Sequence, residues 1–224
     1  MRFKFACFTI VSVLACAGIA GAWGLPSLNS LTSTPSSSLD PDAFLARAQK
    51  SEALIDSSAD MLFKAVASKE EQARLEEMQK KMAEATDDKE KNALRDKITE
   101  SEMATIEKQA KSKEVQEEAR KWDDKKKKMV GNAFFNFSLG ALQAAQLAPE
   151  GSAIVKSISS SPSNAIRYAS KLGSITESVK SIGGVLSNSA KVIGAMKPLM
   201  SAANIEIKAP ATATDKPVDA SKDI

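Results

Sequence analysis

The sequence predicts an all-α protein: a long antiparallel helical coiled-coil stalk, an apolar helical hairpin or bundle beyond it, and flexible termini. Three observations carry that expectation. The strand signature, alternating β-branched and aromatic residues, is scarce in a chain of 224 residues with 5% aromatics. Ala, Ser, Lys and Glu dominate the composition, a mixture that favours helix over sheet. Apolar residues recur at three- and four-residue spacing over most of the length, as they must on one face of a helix.

The first 22 residues have the make-up of a secretory signal peptide. Arg2 and Lys4 form a positive start, Phe5 to Ile19 is apolar, and Ala20-Gly21-Ala22 supplies the small-x-small cleavage site. Cleavage near Ala22 makes the protein periplasmic or secreted. Two competing readings are an uncleaved N-terminal anchor and lipidation at Cys16, where Val13-Leu14-Ala15-Cys16 is a loose lipobox. The anchor has a short apolar run for a span, and Leu14 fits a lipobox poorly. Both cysteines, Cys7 and Cys16, lie in this leader, so the cleaved chain has no disulfide and must rely on packing, oligomerisation or a membrane. Losing Arg2 and Lys4 also leaves it nearly neutral, and nucleic-acid binding has no support beyond local lysine runs.

Residues 23–39 form a Ser/Thr/Pro linker without periodicity. Asp40 then caps a helix, Pro41 suits its first position and Asp42 favours the positive end of the dipole. Phe44, Ala48, Ser51, Ile55, Ser58, Leu62 and Ala65 make one stripe, and Leu75, Met78, Met82 and Ala85 a narrower one. Together they predict one helix over about 41–85. Asp87 with Glu90 restarts the chain as an acidic capping box. The sparse seam of Leu94, Ile98, Met103, Ile106, Ala110, Val115, Ala119 and Trp122 suits a coiled-coil return, so residues 40–128 read as the charged stalk.

The composition changes after Lys125-Lys126-Lys127-Lys128. Met129 to Pro149 contains no charge at all, and Phe134, Phe135 and Phe137 stand within it. The second helix is expected to continue to about Ala148 and to break at Pro149-Glu150-Gly151. Ser161 and Pro162 start a third helix reaching about Ala203, so that residues 129–204 form the apolar Ser/Gly/Ala-rich region. Within it, Gly173 to Gly183 and Gly184 to Gly194 are two copies of an eleven-residue pattern, and Leu172, Ile175, Val179, Ile182, Leu186, Ala190 and Ile193 keep that period. Residues 205–224 read as a disordered tail.

Chemistry has little to work with. There is no His, no Cys outside the leader, no G-x-S-x-G, no S-x-x-K and no G-x-x-x-x-G-K. The adjacent carboxylates Asp87-Asp88, Glu117-Glu118 and Asp123-Asp124 sit among lysines on helix faces expected to be solvated. The expectation is a protein that is not an enzyme, with no cofactor, no metal site and no catalytic residues.

The four lysines have three readings: a solvated helix end, a contact with anionic lipid headgroups, or the flank of a membrane span. Asn132, Asn136, Ser138, Gln143 and Gln146 weigh against the span, because each would carry a polar group into hydrocarbon. Gly140, Ala144 and Ala148 form a small-x-x-x-small ridge, expected to seat the second helix tightly on the third. The Ser-rich face of the third helix, low in charge, fits either a helix buried on two sides or one that inserts into loosely packed lipid.

The function expected from these features is an exported helical scaffold or adaptor that binds a partner protein or itself through its apolar C-terminal helices. Its interaction surface is expected to comprise Val130, Phe134, Phe137, Ile175, Val179, Ile182, Leu186 and Ile193, so that Phe134→Asp should dissociate an oligomer. A competing class is a membrane-active protein, lipid-binding or pore-forming in style, using residues 129–200. A third is a periplasmic holdase chaperone.

Overall fold

The computed structural model describes residues 40–220. The expected signal peptide, the expected linker of residues 23–39 and Cys16, the alternative lipidation site, lie outside the described residues, as do residues 221–224. Among the described residues there are six α-helices and no strand. They are α1 (Pro41–Val66), α2 (Lys69–Glu84), α3 (Asp88–Ala110), α4 (Lys113–Ala119), α5 (Asp124–Ser160) and α6 (Pro162–Ala202). The all-α expectation is met, while the element boundaries differ in ways that local chemistry explains.

The first helix starts as its sequence dictates. Asp40 Oδ1 accepts the N–H groups of Asp42 at 3.0 Å and Ala43 at 3.2 Å. It does not run on to residue 85, because Ser68 and Glu71 form a complete capping box. Ser68 Oγ accepts from Glu71 N–H at 3.2 Å, and Glu71 Oε2 accepts from Ser68 N–H at 3.0 Å. Glu71 also receives Gln109 Nε2 at 2.8 Å and Lys108 Nζ at 3.4 Å, tying the start of α2 to the end of α3. The expected second helix is likewise divided, at Lys111-Ser112 and again at Arg120–Asp123, where Asp123 Oδ1 caps α5 through Lys126 N–H at 2.7 Å.

Pro149 does not stop α5, which has 37 residues and carries the proline inside it. The sequence marks α5 as central: a helix apolar nearly all round must be covered on several sides. α1 lies along it on one side and α6 on another, and α1 and α6 also meet. Phe44, Ile55 and Leu62 of α1 interleave with α5 and α6 at 0% exposure in a core shared with Phe134, Phe137 and Ile154. Each such side chain removed from water contributes about 1.5–3 kcal/mol. α3 covers α1 and α6 from outside, and α2 pairs with α3.

The position of α1 is a departure from the expected stalk. Its main partner is α5 rather than α3, because its stripe is wide enough, with Phe63 and Val66 added, to join a multi-helix core. Two glycines permit the close crossing. A Cβ at Gly140 would stand 2.6 Å from Ile55 Cγ1 and 3.2 Å from the Ser51 carbonyl oxygen. One at Gly151 would stand 2.5 Å from Val179 Cγ2 and 2.6 Å from Phe44 Cζ. The small ridge expected to seat α5 on the third helix therefore seats it, at Gly140, on α1. Ser51 Oγ donates to the Gly140 carbonyl at 2.9 Å across this contact.

α6 begins where expected, at Ser161-Pro162, and ends at Ala202 in a left-handed cap. Asn204 has φ 55°, its N–H reaches Ser201 O at 3.1 Å, and Ile205 N–H reaches Met200 O at 2.9 Å, a Schellman arrangement. Of the tail expected to be disordered, the described residues 205–220 carry hydrogen bonds that hold them against α5. Asn136 donates through Nδ2 to Val218 O at 2.7 Å and accepts Val218 N–H on Oδ1 at 2.8 Å, while Gln143 Nε2 reaches Ala213 O at 3.0 Å. Ala213 and Ala220 are buried as a result. Two of the amides that argued against a membrane span, Asn136 and Gln143, are anchoring points of the tail.

Candidate interaction face and the acidic seam

The residues expected to form an interaction surface come together, but inside the molecule. Val130, Phe134 and Phe137 on α5 and Ile175, Ile182 and Ile193 on α6 are all at most 3% exposed, while Val179 and Leu186 are half-buried. In the single chain these faces cover one another and lie under α1 and α3, so the expected contact surface is not presented at the surface. Phe134→Asp would place a charge in the core and test folding, not association.

Among the described residues the large exposed apolar side chains are instead Ile166, Ile207 and Val218, scattered singly on α6 and the tail. A cavity of about 210 Å³ opens where α1 starts and the α5–α6 turn passes, lined by Pro41, Ile154, Ser157, Ile158, Asn164 and Tyr168. It is smaller than the usual pocket for a cofactor or drug-sized molecule, on the order of 300–1,000 Å³.

Lys125, Lys126, Lys127 and Lys128 occupy the first turn of α5, the positive end of its dipole. The expectation of charge near a favourable helix end is therefore reversed. The Asp123 cap and Asp124 offset the cost, and Lys126 Nζ lies 4.5 Å from the ring centre of the buried Trp122, a cation–π contact.

The glycines of α6 differ from those of α5. At Gly173, Gly183, Gly184 and Gly194 a Cβ would meet nothing within 4 Å among the described residues. No close approach requires them here, and each weakens a helix by roughly 1 kcal/mol relative to Ala.

The feature that periodicity missed is a seam of carboxyl groups between α1 and α3. Glu52, Asp56 and Asp60 stand four residues apart along α1 and face α3 and α6. Asp56 Oδ1 accepts from Thr99 Oγ1 at 2.9 Å. Asp60 Oδ2 pairs with Lys64 Nζ at 2.7 Å, while its Oδ1 is buried without a hydrogen-bond partner among the described residues. Glu102 of α3 lies opposite them at 2% exposure.

Burial first, then the charges of Asp60 and Asp56, push the Glu102 carboxyl up to about 8, against the smaller opposing effect of Lys64. Burial likewise raises Glu52, against a hydrogen bond from Ser181 of α6, and raises Asp56, against the bond from Thr99. Arg95 and Asp96 of α3 act on both from outside, with opposite signs. The signal was present in the sequence: Ile98, Glu102 and Ile106 are four apart, so the glutamate sits in the contact row of α3.

A carboxylic acid protonated near neutrality is what general acid catalysis uses. Glu102 does not line the cavity at Pro41 and Tyr168, however, and meets helix rather than open space. Among the described residues no group of three or more His, Cys, Asp or Glu is arranged to hold a metal ion, and no helix is long and apolar enough to cross a membrane. In comparisons with known proteins, no family model, no curated protein and no solved structure matches the chain.

Proposed function

We propose that the protein is an exported, non-enzymatic helical binding protein whose apolar α5–α6 faces are folded inward in the free chain. They become the surface for a second copy or a partner protein when the helices that cover them move aside. The observation that supports this is the contrast between the glycines. Gly140 and Gly151 are needed for packing, whereas the four on α6 weaken a helix that gains nothing from them in the closed arrangement. A helix so built is cheap to detach. The charged α2–α3–α4 segment then serves as the stalk-like arm that moves with it.

The test is the quadruple variant Gly173→Ala, Gly183→Ala, Gly184→Ala, Gly194→Ala in residues 23–224. It is expected to unfold at higher urea than the parent yet to self-associate less in sedimentation equilibrium, because the closed state is favoured. Association equal to that of the parent, or a parent that stays monomeric with every partner tried, would defeat the reading.

A membrane-active role for residues 129–200 is the second reading. It is supported by the charge-free stretch, by the hydroxyl-rich open side of α6 and by Lys125 to Lys128 as contacts for anionic lipid. Flotation with vesicles of mixed anionic and neutral lipid separates the two: a membrane-active chain rises with the lipid, and a protein-binding chain stays below.

A further inference from the structure

The seam between α1 and α3 brings three carboxyl groups together, with Glu102 at 2% exposure and Asp60 Oδ1 buried without a hydrogen-bond partner among the described residues. Asp56 and Asp60 approach from α1, and Glu102 approaches from α3 between the buried Ile98 and Ile106. Among the described residues, the cation acting on Glu102 is Lys64, whose side chain is 62% exposed and already engaged with Asp60. Arg95 and Asp96 of α3 act on Glu52 and Asp56 with opposite signs, and α6 contributes an uncharged hydroxyl, Ser181. From α2, Glu71 is occupied with Lys108 and Gln109, more than a turn further along α3. Like charges so confined repel strongly, since little water screens them. The unpartnered Asp60 Oδ1 shows the same imbalance from the other side: the seam has acceptors in excess of donors. A proton is the missing donor.

We propose that the α1–α3 seam is a protonation latch, closed while Glu102 carries its proton and released when Glu102 ionises, so that α3 lifts from α1 and uncovers the apolar residues beneath. The latch goes beyond the binding reading and stands whether or not the uncovered face has a partner. Its direction follows from linkage. With Glu102 near 8 in the closed state and at an ordinary 4.5 once freed, the closed state holds the extra proton between those values. Closure is therefore favoured in acid. It weakens as pH rises through that window, the opening constant growing about tenfold per pH unit, and levels off above it.

Amide hydrogen exchange of the full chain from pH 5 to pH 9, corrected for intrinsic exchange, reads this directly. Protection of residues 98–106 in α3 is expected to fall by at least ~100-fold between pH 5 and pH 8, while residues 133–142 in α5 keep theirs. Glu102→Gln should abolish that fall. Protection of α3 that is flat with pH, a fall shared equally by α5, or a fall retained in the Gln variant overturns the latch. Should the variant not fold, carbon-13 NMR titration of the Glu102 carboxyl in the unaltered protein decides: titration near 8 supports the proposal, and titration near the ordinary 4.5 overturns it.

Discussion

At the scale of single residues, three positions do more than their sequence context suggests. Gly151 was read with Pro149 as a stop, yet it is where Phe44 and Val179 close on α5. Gly151→Val should lower stability by about 1–3 kcal/mol through overpacking, measured as a shift of the urea midpoint. Gly173→Ala, on open helix, should raise it by roughly 0.5–1 kcal/mol. Asn136 was read as a polar blemish in an apolar stretch, yet it grips Val218 with both halves of its amide. Asn136→Leu should free residues 211–220 for proteolysis while leaving the helical circular dichroism unchanged. Glu102→Gln should stabilise the protein at pH 8 by ~2–4 kcal/mol, each unit of the raised pKa being worth about 1.4 kcal/mol, and should do little at pH 4.5. The spacing of Ile98, Glu102 and Ile106 put the glutamate in the contact row of α3, but what each of these residues meets was not legible from the sequence. Each depends on what a second or third helix brings to the same point, and a one-dimensional stripe records only one helix at a time.

At the scale of elements, the starts of helices were legible and their interruptions were not. Asp40-Pro41 and Ser161-Pro162 announce α1 and α6 because cap and proline act within four residues of each other. The break at Ala67-Ser68 was equally local, spelled by Ser68 and Glu71, but the apolar stripe continues across it and masked the cap. Burial would raise the Glu71 carboxyl, yet bonds from Ser68 N–H, Gln109 and Lys108 outweigh it and hold it below the usual range. Ser68→Ala should cost about 1 kcal/mol. Glu71→Ala should in addition loosen α2 from α3, seen as faster amide exchange in residues 69–84. Pro149 misled in the opposite sense. A proline removes one N–H and crowds one turn, at about 3 kcal/mol, and packing of α5 against both α1 and α6 on either side of it supplies more than that. Local signals of this kind set boundaries only where tertiary contacts are weaker.

At the scale of the whole molecule, the composition conveyed the fold class, since a chain so poor in strand formers has one main route to a core. It did not convey which faces meet. The wide stripe of α1 fits a coiled-coil partner and a bundle core alike, and the choice of α5 is made by Gly140 and Ser51 across the chain. That pairing bears on how the protein comes into being. Ser51 and Gly140 are 89 residues apart, and Arg47 and Glu150, which form an ion pair, are 103 apart. A ribosome adding about 5–20 residues per second leaves α1 exposed for roughly 5–20 seconds before its cover has been made. During that interval Phe44, Ile55 and Leu62 have no native partner on α5. A newborn chain in this condition is a natural client for whatever guards unfinished proteins, and its most vulnerable portion is α1, made long before the helix that covers it.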